Sequence, residues 1–257
     1  DPWKRHTIDK SSRGADGVRM ADVNGDGLQD MVTGWEEGGV VRVYLNPGPK
    51  QSQSPWPAVT VGEVKSPEDA VFADLDGDGF QDVVSCCEGR VRSVFVHWAP
   101  KDRRQYLAAD AWSTTPIPVV QGKQAWMYCL PMQIDGQHGI DLLIGAKGNA
   151  ATIGWLQAPA DPRQVGDWKF HSLYKAGWIM SLEALDVDQD GDQDVVVSDR
   201  KGSRRGVLWL ENPGAAAAAA GKSWPEHRIG GTGLEVMFLT VADLDQDGKT
   251  DVVTTTR

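Results

Sequence analysis

The chain has 257 residues and a formal charge of −10, with 36 acidic against 26 basic residues. That length is ample for one all-β domain, and the acidic excess argues against nucleic acid as a partner. No stretch is long and apolar enough to span a bilayer.

The first predicted element is an outer strand at 3–8, led by Trp3. A short apolar run at 18–21 then enters the loop Asp22-Val23-Asn24-Gly25-Asp26-Gly27-Leu28-Gln29-Asp30, and 31–33 leaves it. β-Branched runs bounded by turn residues read as strands, so the pair is predicted as a hairpin with the loop at its tip. Residues 40–45 add a third strand. Trp56 opens a second unit on the same plan, with strands at 70–73, 83–85 and 94–98 around the loop Asp74 to Asp82. Trp112 opens a third, whose loop Gln133 to Asp141 keeps the nine-residue frame but has Gln at positions 1 and 5. Trp168 opens a fourth, with strands at 180–185, 195–197 and 207–210 around Asp186 to Asp194. Trp224 opens the last, with strands at 236–241 and 252–254 around Asp243 to Asp251.

The five tryptophans are spaced 53, 56, 56 and 56 residues apart. A period of that size, with four strands per unit and almost no helical patterning, predicts a β-propeller of four-stranded blades. The expected organisation is one domain, 1–257, with units 3–55, 56–111, 112–167, 168–223 and an incomplete 224–257. Because the final unit stops after two strands, either five blades close imperfectly or the chain is a piece of a larger propeller, for example seven-bladed. An exposed edge beside a missing strand favours the second. The alanines at 215–220 fall in an outer loop and suggest no function.

Four of the loops carry Asp or Asn at positions 1, 3, 5 and 9 and can offer a backbone carbonyl at position 7. A hard cation such as Ca²⁺ takes six to eight oxygens at about 2.3–2.6 Å, which such loops supply. One copy would read as an acidic turn; four in the same phase read as metal sites. The expected ligands are Asp22, Asn24, Asp26, Leu28 and Asp30; Asp74, Asp76, Asp78, Phe80 and Asp82; Asp186, Asp188, Asp190, Asp192 and Asp194; and Asp243, Asp245, Asp247, Lys249 and Asp251. About four Ca²⁺ would add about +8 to the charge. The loop Gln133 to Asp141 is expected to keep its fold and bind metal weakly or not at all. None of the loops is an EF-hand, which closes with Glu at position 12 between two helices.

These loops and the Val-rich strand after each resemble the VCBS/FG-GAP family of calcium-binding β-propellers, related in architecture to the head of integrin α subunits. The resemblance covers the whole chain and includes Trp-Leu-Glu-Asn-Pro-Gly at 209–214, echoed at 44–48. It implies an extracellular, cell-surface or periplasmic scaffold and no single function.

The loops entering first strands and leaving second strands are expected on the face away from the metal hairpins. Trp35, Glu36, Asp69, Trp126, Lys147, Trp178, Arg200 and Glu235 fall there, with Glu68, Glu88, Asp199 and Lys201 among their neighbours. Aromatic faces beside charged or amide hydrogen-bonding groups suit a sugar or an anionic glycan; the plainer reading is that Trp126 and Trp178 plug the channel mouth and the charges solvate loop tips. Three function classes follow: a calcium-stabilised binding module for carbohydrate or protein, a polysaccharide lyase or dehydratase, and a purely structural domain. No Ser-His-Asp or Cys-His arrangement is visible. His6, His171 and His227 recur three residues after a tryptophan, which marks them as structural. Cys86, Cys87 and Cys129 read as buried small hydrophobes.

Overall fold

The structure, a computed structural model, describes residues 3–257; Asp1 and Pro2, counted in the expected domain, lie outside the described residues. The chain divides into two compact units, Asp1–Gly122 and Lys123–Arg257.

The first unit holds two four-stranded sheets. One is β1 (Ala15–Ala21), β2 (Asp30–Trp35), β3 (Val40–Tyr44) and β4 (Ala58–Gly62), side by side in that order. The other is β5 (Pro67–Ala73), β6 (Asp82–Cys87), β7 (Ser93–Trp98) and β8 (Ser113–Pro116). The second unit repeats the plan with β9 (Ala125–Met132), β10 (Asp141–Lys147), β11 (Thr152–Gln157) and β12 (Lys169–Lys175). There follow β13 (Ile179–Leu185), β14 (Asp194–Asp199), β15 (Gly206–Leu210) and β16 (Glu226–Gly230), and a two-stranded sheet of β17 (Val236–Ala242) and β18 (Asp251–Thr256). Every neighbouring pair is antiparallel. The expected all-β architecture of four-stranded blades is therefore present.

The second strand of each four-stranded sheet is buried almost throughout, as in β6 and β14. That explains why it reads as a continuous apolar run and not as an alternation: both of its faces are covered. β18 has a similar sequence but half-exposed side chains. In all five sheets the pairing of first and second strands is broken by a register shift near the start of the first strand. Such bulges bend the strand and increase the local twist.

The tryptophan period has a structural cause. Each fourth strand follows its tryptophan and pairs with the third strand of the sheet before it, so the sheets are offset from the tryptophan-led repeat. The indole N–H groups of Trp56, Trp112 and Trp168 donate to the carbonyls of Ser52, Tyr106 and Pro162, closing the long loop between third and fourth strands. Trp3 departs from this pattern. Its side chain is 98% exposed, and residues 3–8 form no strand. The segment is tied down further along, where Asp9 accepts from Tyr44 and Arg42.

His171 stacks on Trp155 with centroids 4.6 Å apart, and His227 on Trp209 at 4.3 Å, each across a pair of neighbouring strands. These histidines are structural, as their repetition implied. Cys86, Cys87 and Cys129 are buried thiols, and burial pushes the Cys87 thiol up to about 12. The run at 215–220 contains a short helix, α1 (Ala215–Ala219), in keeping with alanine's helical preference. No helix is long and apolar enough to cross a membrane.

Candidate functional site

Each sheet is a meander, so the loop joining its first two strands lies at one end and the loop joining the second and third at the other. The nine-residue loops occupy the first end. Their backbone turns through positive φ at positions 4 and 6; position 6 is glycine in four loops, for example Gly79 at φ +85°, where an L side chain would be strained. The carboxylates then fold inward. Asp74 accepts from the Gly79 N–H and Asp186 from the Gly191 N–H, while Asp78 and Asp190 accept from the residue two further on.

Oxygens of Asp74, Asp76 and Asp78 lie within 4.8 Å of one another, as do those of Asp186, Asp188 and Asp194, and of Asp243, Asp245 and Asp251. In two of these loops one oxygen of the first carboxylate, Oδ1 of Asp74 and of Asp186, is buried and accepts no hydrogen bond. A buried oxygen aimed into a carboxylate triad without a donor fits a cation. These loops can hold metal ions. In the first loop Asn24 stands where the others have a carboxylate and donates to Asp26 at 3.1 Å, and no acidic triad forms there among the described residues. The three Asp22 interactions with the N–H groups of Gly27, Gly25 and Asp26 hold its carboxyl below the usual range.

Position 9 has an occupation that the sequence reading missed. Asp30, Asp82, Asp141 and Asp194 are buried, and each spends both oxygens on backbone N–H groups. One bond comes from position 2 of the loop (Val23, Leu75, Ile134, Val187), the other from just beyond the third strand (Asn46, Ala99, Ala158, Asn212). Asp251 keeps the first bond, from Leu244. Burial pushes the Asp141 carboxyl up to about 6 and raises Asp30 and Asp194 as well.

The loop from Gln133 to Asp141 retains its fold by internal hydrogen bonds. The Gln133 side-chain amide donates to the carbonyls of Gln137 at 3.1 Å and Gly139 at 2.5 Å and accepts from the N–H groups of Asp135 and Gly136. Gly139 is position 7, whose carbonyl in the other loops is available to a cation. Asp135 accepts from Gln157 at 2.6 Å, and Gln157 in turn meets His171.

The opposite loop ends hold the eight residues singled out for ligand contact, which fall into four settings. Trp35 and Trp126 are core residues: Trp35 donates to Tyr44, and Trp126 is 0% exposed with its ring edge-on to Phe170. Expected on a ligand face, they are turned inward because the start of each blade packs there. Asp69 is buried against Arg19, which reaches both its oxygens at 3.2 Å. Glu36 gathers with Glu68 and Glu88 within 4.8 Å.

The remaining four come together in the second unit. Lys147 Nζ and Arg200 Cζ each lie 4.7 Å from the Trp178 ring centroid, and the Arg200 guanidinium donates to Glu235 at 3.2 Å. Lys201 also bonds Glu235. Hydrogen bonds from Lys201 and Arg200 hold the Glu235 carboxyl below its usual range. Beneath them buried Asp199 accepts from the N–H groups of Gly177 and Trp178, and burial raises its pKa. Beside Trp178 opens a cleft of about 610 Å³ lined by Lys175, Lys201, Arg204, Asn149 and Ser203 among others. Lys175, Arg204, Asn149 and Ser203 were not foreseen. Lys175 closes a fourth strand, an element that carries no loop signal, and Arg204 lies deeper in the loop that Arg200 begins.

Comparison with known proteins agrees with this architecture. A solved structure of an Agrocybe aegerita lectin, described for specific recognition of non-reducing terminal N-acetylglucosamine, matches with a TM-score of 0.50 at 15% identity. The match covers 92% of this chain but 60% of the lectin chain, so the sequence spans less than two thirds of that protein's length. At that identity the likeness concerns the fold, an all-β propeller of four-stranded antiparallel blades, here four blades and a two-stranded fifth sheet. No curated protein matches. The model of the FG-GAP-like repeat matches residues 22–85 and 186–254, just over half of the sequence and both of its ends. The chain therefore belongs to the FG-GAP-like repeat family.

Proposed function

We propose that the protein is a calcium-stabilised carbohydrate-binding module, working in an extracellular, cell-surface or periplasmic setting. The observation that carries this reading is the cleft beside Trp178. It offers hydrogen-bonding side chains from four loops and strand ends, and its volume of about 610 Å³ falls within the usual range for small-molecule sites. The lectin with a similar fold supports the choice of carbohydrate.

Calcium fits the carboxylate triads because hard cations take oxygen ligands. Asp74, Asp76, Asp78, Asp82 and the Phe80 carbonyl would hold one ion, Asp186 to Asp194 and Asp243 to Asp251 supply further sets, and Asp22, Asn24, Asp26, Leu28 and Asp30 form the weakest. A bound ion would offset the repulsion between carboxylates and staple the hairpin tip. It would lie at the end of the blade away from the cleft, a staple and not a participant in ligand binding.

The lyase reading draws less support. Its base would be Glu235 or Glu36, yet Glu235 is held ionised by two cations, the opposite of the raised pKa a working base of this type needs.

Titration of the calcium-loaded protein with a panel of oligosaccharides, read by calorimetry, tests the proposal. Saturable binding without turnover is expected, with loss of binding in Trp178→Ala. A folded, metal-loaded protein that binds no member of the panel would overturn it.

A further inference from the structure

We infer that the cleft beside Trp178 selects an acidic saccharide, one bearing carboxylate or sulfate, over a neutral one. The inference rests on the carbohydrate-binding reading and deepens it.

The first argument is charge. The chain as a whole is acidic, with 36 Asp and Glu against 26 Lys and Arg. The cleft runs against that balance: Lys175, Lys201 and Arg204 line it and, among the described residues, no carboxylate does. Lys201 and Arg204 are paired with Glu235 and Glu226, yet their side chains remain 40% and 46% exposed. Lys175 is exposed and has no recorded ion pair among the described residues. A local excess of one sign in a concave site focuses the field and draws in the opposite charge.

The second argument is what Trp178 is doing. Lys147 and Arg200 both sit over its ring, so the indole's π system is engaged with cations and is a poor platform for stacking a neutral sugar. What the cleft presents to a ligand is positive charge, with the amide of Asn149 and the hydroxyl of Ser203 to meet neutral hydroxyl groups.

The third argument is that the cleft is held in shape from below. Asp199 fixes the N–H groups of Gly177, Trp178 and Lys201. Gly177 is needed for this approach, since a Cβ there would sit 2.0 Å from the Lys201 carbonyl oxygen. The floor is thus preorganised, while Lys175, Lys201 and Arg204 keep exposed side chains along the cleft.

The experiment uses the calcium-loaded chain, freed of excess calcium by dialysis, and four probes: an oligogalacturonate, its methyl ester, a sulfated oligosaccharide and inorganic tripolyphosphate. Oligogalacturonate or the sulfated sugar should bind at least about tenfold tighter than the ester, and raising the salt should weaken that binding. Lys175→Gln, an exposed position whose change should leave the melt intact, should remove most of the preference, and Lys201→Gln should act in the same direction. Equal binding of acid and ester would overturn the inference and leave the carbohydrate reading standing. Tripolyphosphate binding as tightly as the acidic sugars would overturn the saccharide selection in favour of a plain anion site. No binding of any sugar, acidic or neutral, would overturn the carbohydrate reading itself.

Discussion

The Ala158 backbone N–H donates to the Asp141 carboxylate at 2.8 Å across 17 residues of sequence, tying the end of β11 to the start of β10. The other oxygen of Asp141 accepts from Ile134, so one buried side chain binds the hairpin loop and the third strand together. The same bond pair recurs at Asp30, Asp82 and Asp194. In this blade it operates where Gln replaces two metal-ligand positions, which separates the clamp from metal binding.

Replacing Asp141 by Ala should leave two N–H groups unsatisfied in the interior and cost roughly 2–6 kcal/mol, at about 1–3 for each. Asp141→Asn, which keeps one acceptor, should cost less. Urea denaturation of both variants with and without chelator checks this: the difference from the parent should be the same under both conditions.

The Gln133 amide fills the centre of its loop with donors aimed at carbonyls that other loops leave for a cation. The double substitution Gln133→Asp, Gln137→Asp restores the carboxylates at positions 1 and 5. It should add one equivalent of bound calcium by elemental analysis and make this blade's stability depend on metal.

Calcium removal should lower the melting temperature of the parent. Each occupied site contributes about 2.7 kcal/mol at a hundredfold excess over its dissociation constant. Asp74→Asn and Asp186→Asn each remove an oxygen that accepts no hydrogen bond in the structure. Each variant should lose one metal equivalent while changing the chelated protein's stability little. An unchanged melt on chelation and no metal in the purified protein would remove calcium from the account.

His97 is fully buried between the hydroxyls of Ser85 at 2.9 Å and Thr114 at 2.8 Å, and burial lowers its pKa to about 3. Thr114 donates onward to the Val61 carbonyl, so it accepts from Nδ1–H and the ring is neutral. Unfolding lets His97 take up a proton below its free pKa of about 6.5. The stability it contributes is therefore complete above pH 6.5 and is lost as the pH falls toward 3, by up to about 1.4 kcal/mol per pH unit. Asp141 opposes this over part of the range. Its folded pKa of about 6 lies above the ordinary carboxyl value of 3.8, so its contribution is complete below 3.8 and is lost as pH rises through 6. His97→Gln should give a flatter decline of stability between pH 6 and 4 than the parent, read by urea denaturation at each pH.

Local chemistry made the blades legible. Asp, Asn and Gly at alternate positions dictate the loop, and the β-branched runs beside it can bury both faces only as central strands, so hairpins, period and carboxylate loops were all readable in order. The 56-residue tryptophan spacing was readable too, although the indole bonds of Trp56, Trp112 and Trp168 that close the loops ahead of three fourth strands needed the structure. The ligand end was read less well. Trp35, Trp126 and Trp178 looked alike as loop-end aromatics, yet two are buried and one stands beside a cleft. Lys175 joins that cleft from a strand end with no motif of its own. Position 9 looked like one more metal ligand and proved to be a clamp on backbone N–H groups. In each case the outcome depends on which hairpins pack together and where their bulges turn the side chains. Those are contacts between residues far apart in the chain, and spacing along it carries no record of them.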